Sequence, residues 1–202
     1  MYYGTGAVVK NKAGSVYYLE AYDAAGNFLG TGSGFLINNG YDIVTCFHVI
    51  EDAQVVFAVS ADEQEDVMIE SVKAYNPSTD LIILHSSEQF KAHPLVLADS
   101  DSVRQGDKTY AIGYPLGLSN TLSDGIVSAR YLDGGLDTLQ ITAAISPGSS
   151  GGALLNTRGQ VIGVTSAYYA DGQNMNIAIA SNAVKNLNDR KGGYKSLSSV
   201  SN

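Results

Sequence analysis

Two serines, Ser149 and Ser150, sit in the run ISPGSSGGALL (145–155), beside Gly148, Gly151 and Gly152 and between two apolar segments. Without Cβ atoms these glycines allow a sharp turn that presents backbone N–H groups to a ligand instead of to a sheet, as an exposed nucleophile requires. A Gly/Ser cluster is also the composition of an ordinary hairpin loop, so this loop alone does not decide between the two. A serine hydroxyl is a weak nucleophile at neutral pH. It becomes an effective one when an imidazole lies within hydrogen-bond reach and a carboxylate holds the other ring nitrogen. Three histidines are available. His48 follows the strand-like YDIVTCF and precedes VIEDA, where a short helical turn would expose it; His85 ends the apolar run DLIIL, and His93 adjoins Pro94 in a polar connection. His48 is the best placed. Asp80, which opens DLIIL after the turn NPST, is the carboxylate candidate, although aspartate is common at such junctions for purely local reasons.

The elements that must position these groups read as strands. SVYYLEAY, NFLGTGSGFLI and YDIVT are separated by the turn signals DAAG and NNGY. QVVFAVS, VMIESVKAY and DLIILHS follow, and then TYAIGY, GIVSARY, LQITAAI, GQVIGVTSAYY and MNIAIA. Strands at such close spacing predict an all-β chain of two antiparallel barrels or a sandwich. SNAVKNLNDRKG predicts a single short helix over 182–191, capped by Ser181 or Asn182, with Val184 and Leu187 on its inner face. The polar stretch 88–107 is the expected boundary, giving an N-terminal barrel over 12–95 and a C-terminal barrel over 104–182. The Gly/Ser-rich end, 192–202, reads as a flexible tail.

Composition excludes several functions. A chain of 202 residues with net charge −8 and only 12 Lys and Arg lacks the clustered positive charge that nucleic acid requires. Cys46 is the only cysteine, so neither an internal disulfide nor a Cys-rich metal site can form. No apolar run approaches the roughly 20 residues of a membrane-spanning helix. Gly30, Gly32 and Gly34 in GTGSGF lack the spacing of a dinucleotide loop, and strand packing explains them better. Asp99, Asp101 and Asp107 lack the glycine and terminal glutamate of the helix-loop-helix calcium pattern. No cofactor and no metal is expected.

Taken in order, GTGSGFLINNGYDIVTCFHVIEDA, DLIIL, AIGYPLGLSNTLSDGIVSA and ITAAISPGSSGGALLNTRGQVIGV resemble the successive segments of a chymotrypsin-fold serine protease of the HtrA/Deg branch. The resemblance runs from about Ser15 to Leu187 and implies two antiparallel six-stranded β-barrels with a short C-terminal helix. It implies His48 as general base, Asp80 as its orienting partner and Ser150 as nucleophile, with an oxyanion hole from the Gly148, Ser149 and Ser150 turn. It also implies a pocket floor at Ala144, a wall strand at Ser166, Ala167 and Tyr168, and, since that floor carries no charge, a preference for aliphatic residues before the cut. Departures are Ser149 for the usual asparagine, Ala153 for a proline and Cys46 for an asparagine, none of them at a triad position. The implied partners are unfolded polypeptide substrates and further copies of the chain in a homo-oligomer. The implied location is extracytoplasmic, secreted or membrane-anchored in a longer protein. A binding or chaperone-like module that has kept the fold, and an esterase-type hydrolase, are the competing readings.

Overall fold

The computed structural model describes residues 9–115, 120–133, 135–166 and 176–200. Strands β1 (Val16–Tyr22), β2 (Phe28–Ile37), β3 (Asp42–Cys46), β4 (Val55–Val59), β5 (Asp66–Ile69), β6 (Ser71–Asn76) and β7 (Leu81–His85) form the first half. The chain then crosses through 86–107 into β8 (Lys108–Gly113), β9 (Thr121–Asp133), β10 (Leu136–Ile141), β11 (Ala153–Leu155), β12 (Val161–Ser166) and β13 (Asn176–Ala180). Helix α1 (Ser181–Asn188) and a two-residue strand, β14 (Lys195–Ser196), complete the described elements.

The second half closes as expected, with strand order β10-β13-β12-β11-β8-β9. The first half does not. It is an open sheet ordered β14-β6-β7-β3-β2-β1-β4-β5, and the expected second six-stranded barrel is corrected to this half-barrel. Closure would require β5 to pair with the outer edge of β6, and the chain's end holds that edge. Lys195 pairs with Val72 and Ser196 with Ser71, and the Leu197 N–H donates to the Glu70 carbonyl at 2.7 Å. The end expected to be flexible is therefore docked, with Leu197 and Val200 buried in the main core.

β7 is buried on both faces, as its unbroken LIIL run requires. α1 stops three residues short of the expected 191 and turns Val184 and Leu187 into the core. Neither expected cap operates. Ala180 is the N-cap residue, and the Ser181 hydroxyl donates instead to the Ala98 carbonyl at 2.9 Å. Among the described residues no helix is long and apolar enough to cross a membrane.

At one end of the β3–β7 pair the buried Asp42 accepts from His85 Nδ1 at 2.8 Å, Lys73 Nζ at 2.9 Å and Asn38 Nδ2 at 2.6 Å. Burial pushes this carboxyl up, but the three donors outweigh it and hold the group below the ordinary aspartate value of 3.8. The stabilisation is therefore complete above 3.8 and is lost as pH falls through the lower folded-state value. Asp42→Asn is expected to cost about 1–3 kcal/mol in urea denaturation near neutral pH. The gap to the parent should close in strong acid; a gap independent of pH would refute the assignment.

Candidate active site

The β3–β7 register explains how residues 32 apart in sequence meet. Cys46 lies opposite Leu81, so the turn carrying His48 leaves β3 at the same end of the sheet at which Asp80 enters β7. Phe47–Val49 form one turn of 3₁₀ helix, as do Pro77–Thr79, which carry Pro at their start and an Asn76 side chain accepting from the Ser78 N–H. Asp80 follows in the left-handed region (φ 52°, ψ 38°), which a short polar side chain tolerates. Its carboxylate then grips His48 twice. Oδ1 accepts from the His48 backbone N–H at 2.9 Å, and Oδ2 lies 2.7 Å from His48 Nδ1. A carboxylate can only accept here, so Nδ1 carries the proton and Nε2 is the basic nitrogen. Ser166, expected on the pocket-wall strand, is fully buried, and its Oγ lies 3.5 Å from Asp80 Oδ2, so its side chain backs the carboxylate.

Ser146 to Ser149 form a β-turn closed by the Ser149 N–H on the Ser146 carbonyl at 2.9 Å. With Pro147 at the second position and Gly148 at φ 92°, the turn is type II. Each following carbonyl is held from inside. Ser33 Oγ donates to Gly148 O at 2.8 Å, Thr165 Oγ1 to Ser149 O at 2.6 Å, and the Ser33 N–H to Ser150 O at 2.8 Å. In a trans peptide C=O and N–H point in opposite directions. Pulling Ser149 O toward Thr165 therefore turns the Ser150 N–H the other way. The Ser149 N–H, expected among the oxyanion donors, is instead committed to the Ser146 carbonyl.

His48, Gly148 and Ser150 line one cleft of about 330 Å³, together with Leu29, Val49 and Pro147. Ala144 lies away from it. It lines a separate pocket of about 120 Å³ behind the turn, with Ser149 and Thr165. Ala167 and Tyr168 fall outside the described residues. Of the other two histidines, His85 binds Asp42, and His93 lies in the crossing segment, where its backbone carbonyl accepts from Ser15 Oγ at 2.7 Å.

Sequence reasoning missed the supports Ser33, Thr45 and Thr165. Thr45 Oγ1 donates to Ser33 O at 2.7 Å, and Ser33 Oγ also accepts from the Tyr114 N–H at 2.9 Å. The available signal was a polar residue inside the close-packed run GTGSGF, since a buried hydroxyl needs partners.

A profile of the trypsin-like peptidase domain matches residues 32–164. The chain belongs to the trypsin-like peptidase family. It is 39% identical over 178 residues to the periplasmic serine endoprotease DegP of Salmonella typhimurium, across 83% of this chain and 37% of that protein. It is 31% identical over 170 residues to the anti-sigma-I factor RsgI9 of Acetivibrio thermocellus, across 84% of this chain and 24% of that one. The chain thus spans little more than a third of the first relative and a quarter of the second. Among solved structures, an HtrA-type protease AlgW with a tripeptide superposes with a TM-score of 0.80 at 25% identity, over 93% of this chain and 64% of that one. This peptidase domain is therefore of the HtrA/Deg branch, with an all-β chymotrypsin-like fold and one short helix.

Proposed function

We propose that this domain is a serine endopeptidase acting on unfolded polypeptides through Ser150, His48 and Asp80. The observation that carries the reading is the His48–Asp80 pair, 2.7 Å apart, opening on the same cleft as Ser150. His48 Nε2 takes the Ser150 proton as Oγ attacks the peptide carbonyl carbon. The oxyanion so formed accepts from the Gly148 and Ser150 N–H groups; one such donor contributes about 3–4 kcal/mol in comparable enzymes. His48 then gives the proton to the leaving amine, and water releases the acyl group by the same steps in reverse.

Ala144, the pocket floor that the resemblance implies, carries no charge, which favours uncharged, aliphatic residues before the cut. The DegP relative is named periplasmic, which supports an extracytoplasmic location, and its branch supports assembly into homo-oligomers. The RsgI9 relative favours a second reading, a module within a protein of another kind. Casein digestion and labelling by a serine-directed phosphonate probe separate the two. The peptidase reading expects both, with cuts after aliphatic residues; a folded chain that neither labels nor cleaves overturns it, and dominant cuts after Lys or Arg overturn the pocket.

Digestive relatives order this turn with an ion pair between a freed N-terminus and an aspartate at the position of Ser149. Ser149 has no charge to offer, and the hydrogen bonds from Ser33 and Thr165 hold the turn instead. An uncleavable N-terminal extension is therefore expected to leave peptide turnover within about twofold, because the ordering bonds lie inside the fold. Inactivity relieved only by removing the extension would contradict this.

A further inference from the structure

Cys46, the only cysteine, ends β3 directly beneath the proposed catalytic pair. It is fully buried, with Sγ 3.5 Å from the Thr165 carbonyl. Among the described residues its sulfur, a ring nitrogen of His48 and a carboxylate oxygen of Asp80 lie within 4.8 Å of one another. Burial and the Asp80 charge push the thiol's pKa up, which opposes a bare thiolate, so loss of the proton must accompany bonding to a metal.

A thiolate, an imidazole and a carboxylate together select borderline or soft divalent ions over calcium and magnesium. Tetrahedral zinc places such ligand atoms about 3.4–3.6 Å apart. The His48–Asp80 contact at 2.7 Å must therefore open by under an ångström, while the sulfur closes in from within the 4.8 Å limit. Two anionic ligands and a neutral imidazole also leave a divalent ion with no net charge, which lowers the cost of placing it beside the buried Cys46 and half-buried His48.

We propose that Cys46, His48 Nδ1 and Asp80 form a latent site for a cation of the Zn²⁺/Cd²⁺ class, and that its occupation switches the peptidase off. The Cys46 thiol releases its proton to solvent as the sulfur–metal bond forms. The proton on His48 Nδ1 is displaced by the metal and reappears on Nε2 through solvent, so one proton leaves in all. With Nε2 protonated, His48 cannot accept from Ser150. Holding the imidazole in the wrong tautomer in a comparable triad lowers turnover about 10⁴-fold.

Binding does not require the peptidase reading; only the inhibition does. Ser150→Ala protein titrated with Cd²⁺ is expected to show a thiolate-to-cadmium ultraviolet absorption saturating near one equivalent, and the Ser150→Ala/Cys46→Ala protein none. In peptide hydrolysis, saturating Cd²⁺ is expected to slow the parent about 10³-fold or more. The ratio of rates with and without Cd²⁺ should stay near one in Cys46→Ala. Circular dichroism melts confirm that each variant is folded. Absence of the band in Ser150→Ala, its persistence without Cys46, or equal inhibition of parent and Cys46→Ala each overturns the site. A parent that binds cadmium but cleaves nothing overturns the peptidase reading and leaves the site standing.

Discussion

Ser150→Ala is expected to bring casein cleavage down to background, a fall in kcat of about 10⁴- to 10⁶-fold. In the proposed mechanism the serine oxygen is the atom that bonds to the substrate carbonyl, and an alanine has no oxygen to replace it. His48→Ala should cost nearly as much, and the double variant little more than either single one, because the residues act as one unit. Asp80→Asn should retain a small residue of activity, since an amide fills the space but favours the wrong imidazole tautomer. Initial rates on casein, with melts to confirm folding, are the measurement. Parent-like activity in Ser150→Ala would falsify the assignment, and additive losses would show that His48 and Ser150 act separately.

Gly151→Ala is expected to be the most damaging small change to the fold. Gly151 has φ +85°, and an added Cβ would collide with the Ser33 carbonyl oxygen and with Thr45 Oγ1, and would stand 3.1 Å from the Cys46 N. Two of these three neighbours are backbone atoms and cannot swing aside. Left-handed backbone costs an alanine about 1–2 kcal/mol, and overpacking a tight site adds about 1–3 kcal/mol. A loss of about 2–5 kcal/mol takes a large part of a typical domain's stability. Gly192→Ala, where a Cβ meets nothing within 4 Å, is the control and should change little. Urea midpoints for the two variants decide it: a Gly151→Ala midpoint equal to the control's removes the packing argument.

Much of the architecture was readable because the physics is local. Alternation marked the strands, NNGY marked the turn into β3, and Val184 with Leu187 marked the inner face of α1. The order of His48, Asp80 and Ser150 carried the site, because few chemistries need that set. The open first sheet was not readable. It depends on Lys195 and Ser196 occupying the edge of β6 more than a hundred residues upstream, and GGYKSLSSVSN looks too polar to pack. Leu197 and Val200, three apart, were the overlooked anchors. The Gly/Ser turn proposed to bind the oxyanion was legible in composition, but the commitment of the Ser149 N–H to the Ser146 carbonyl was not, because composition does not say which way each peptide of a turn faces. The direction of the Ser166 hydroxyl was not legible for a similar reason: being on the expected wall strand does not say which neighbour a side chain faces.

The supports of the nucleophile turn are divided between the two halves. Ser33, from β2, supplies both an N–H and a hydroxyl to the loop carrying Ser150, while Thr165, from β12, supplies the third bond. His48 and Asp80, the proposed base and its carboxylate, come from the first half, and Ser150, the proposed nucleophile, from the second. During synthesis the first sheet's strands emerge early, while β12 and the edge-sealing residues Lys195 and Ser196 emerge only after Ser150. On the proposed mechanism, cutting ability is therefore acquired only when the halves dock. A half-made chain on the ribosome carries His48 and Asp80 before Ser150 and its supports exist, so on the proposed mechanism an unfinished copy cannot digest itself or its neighbours.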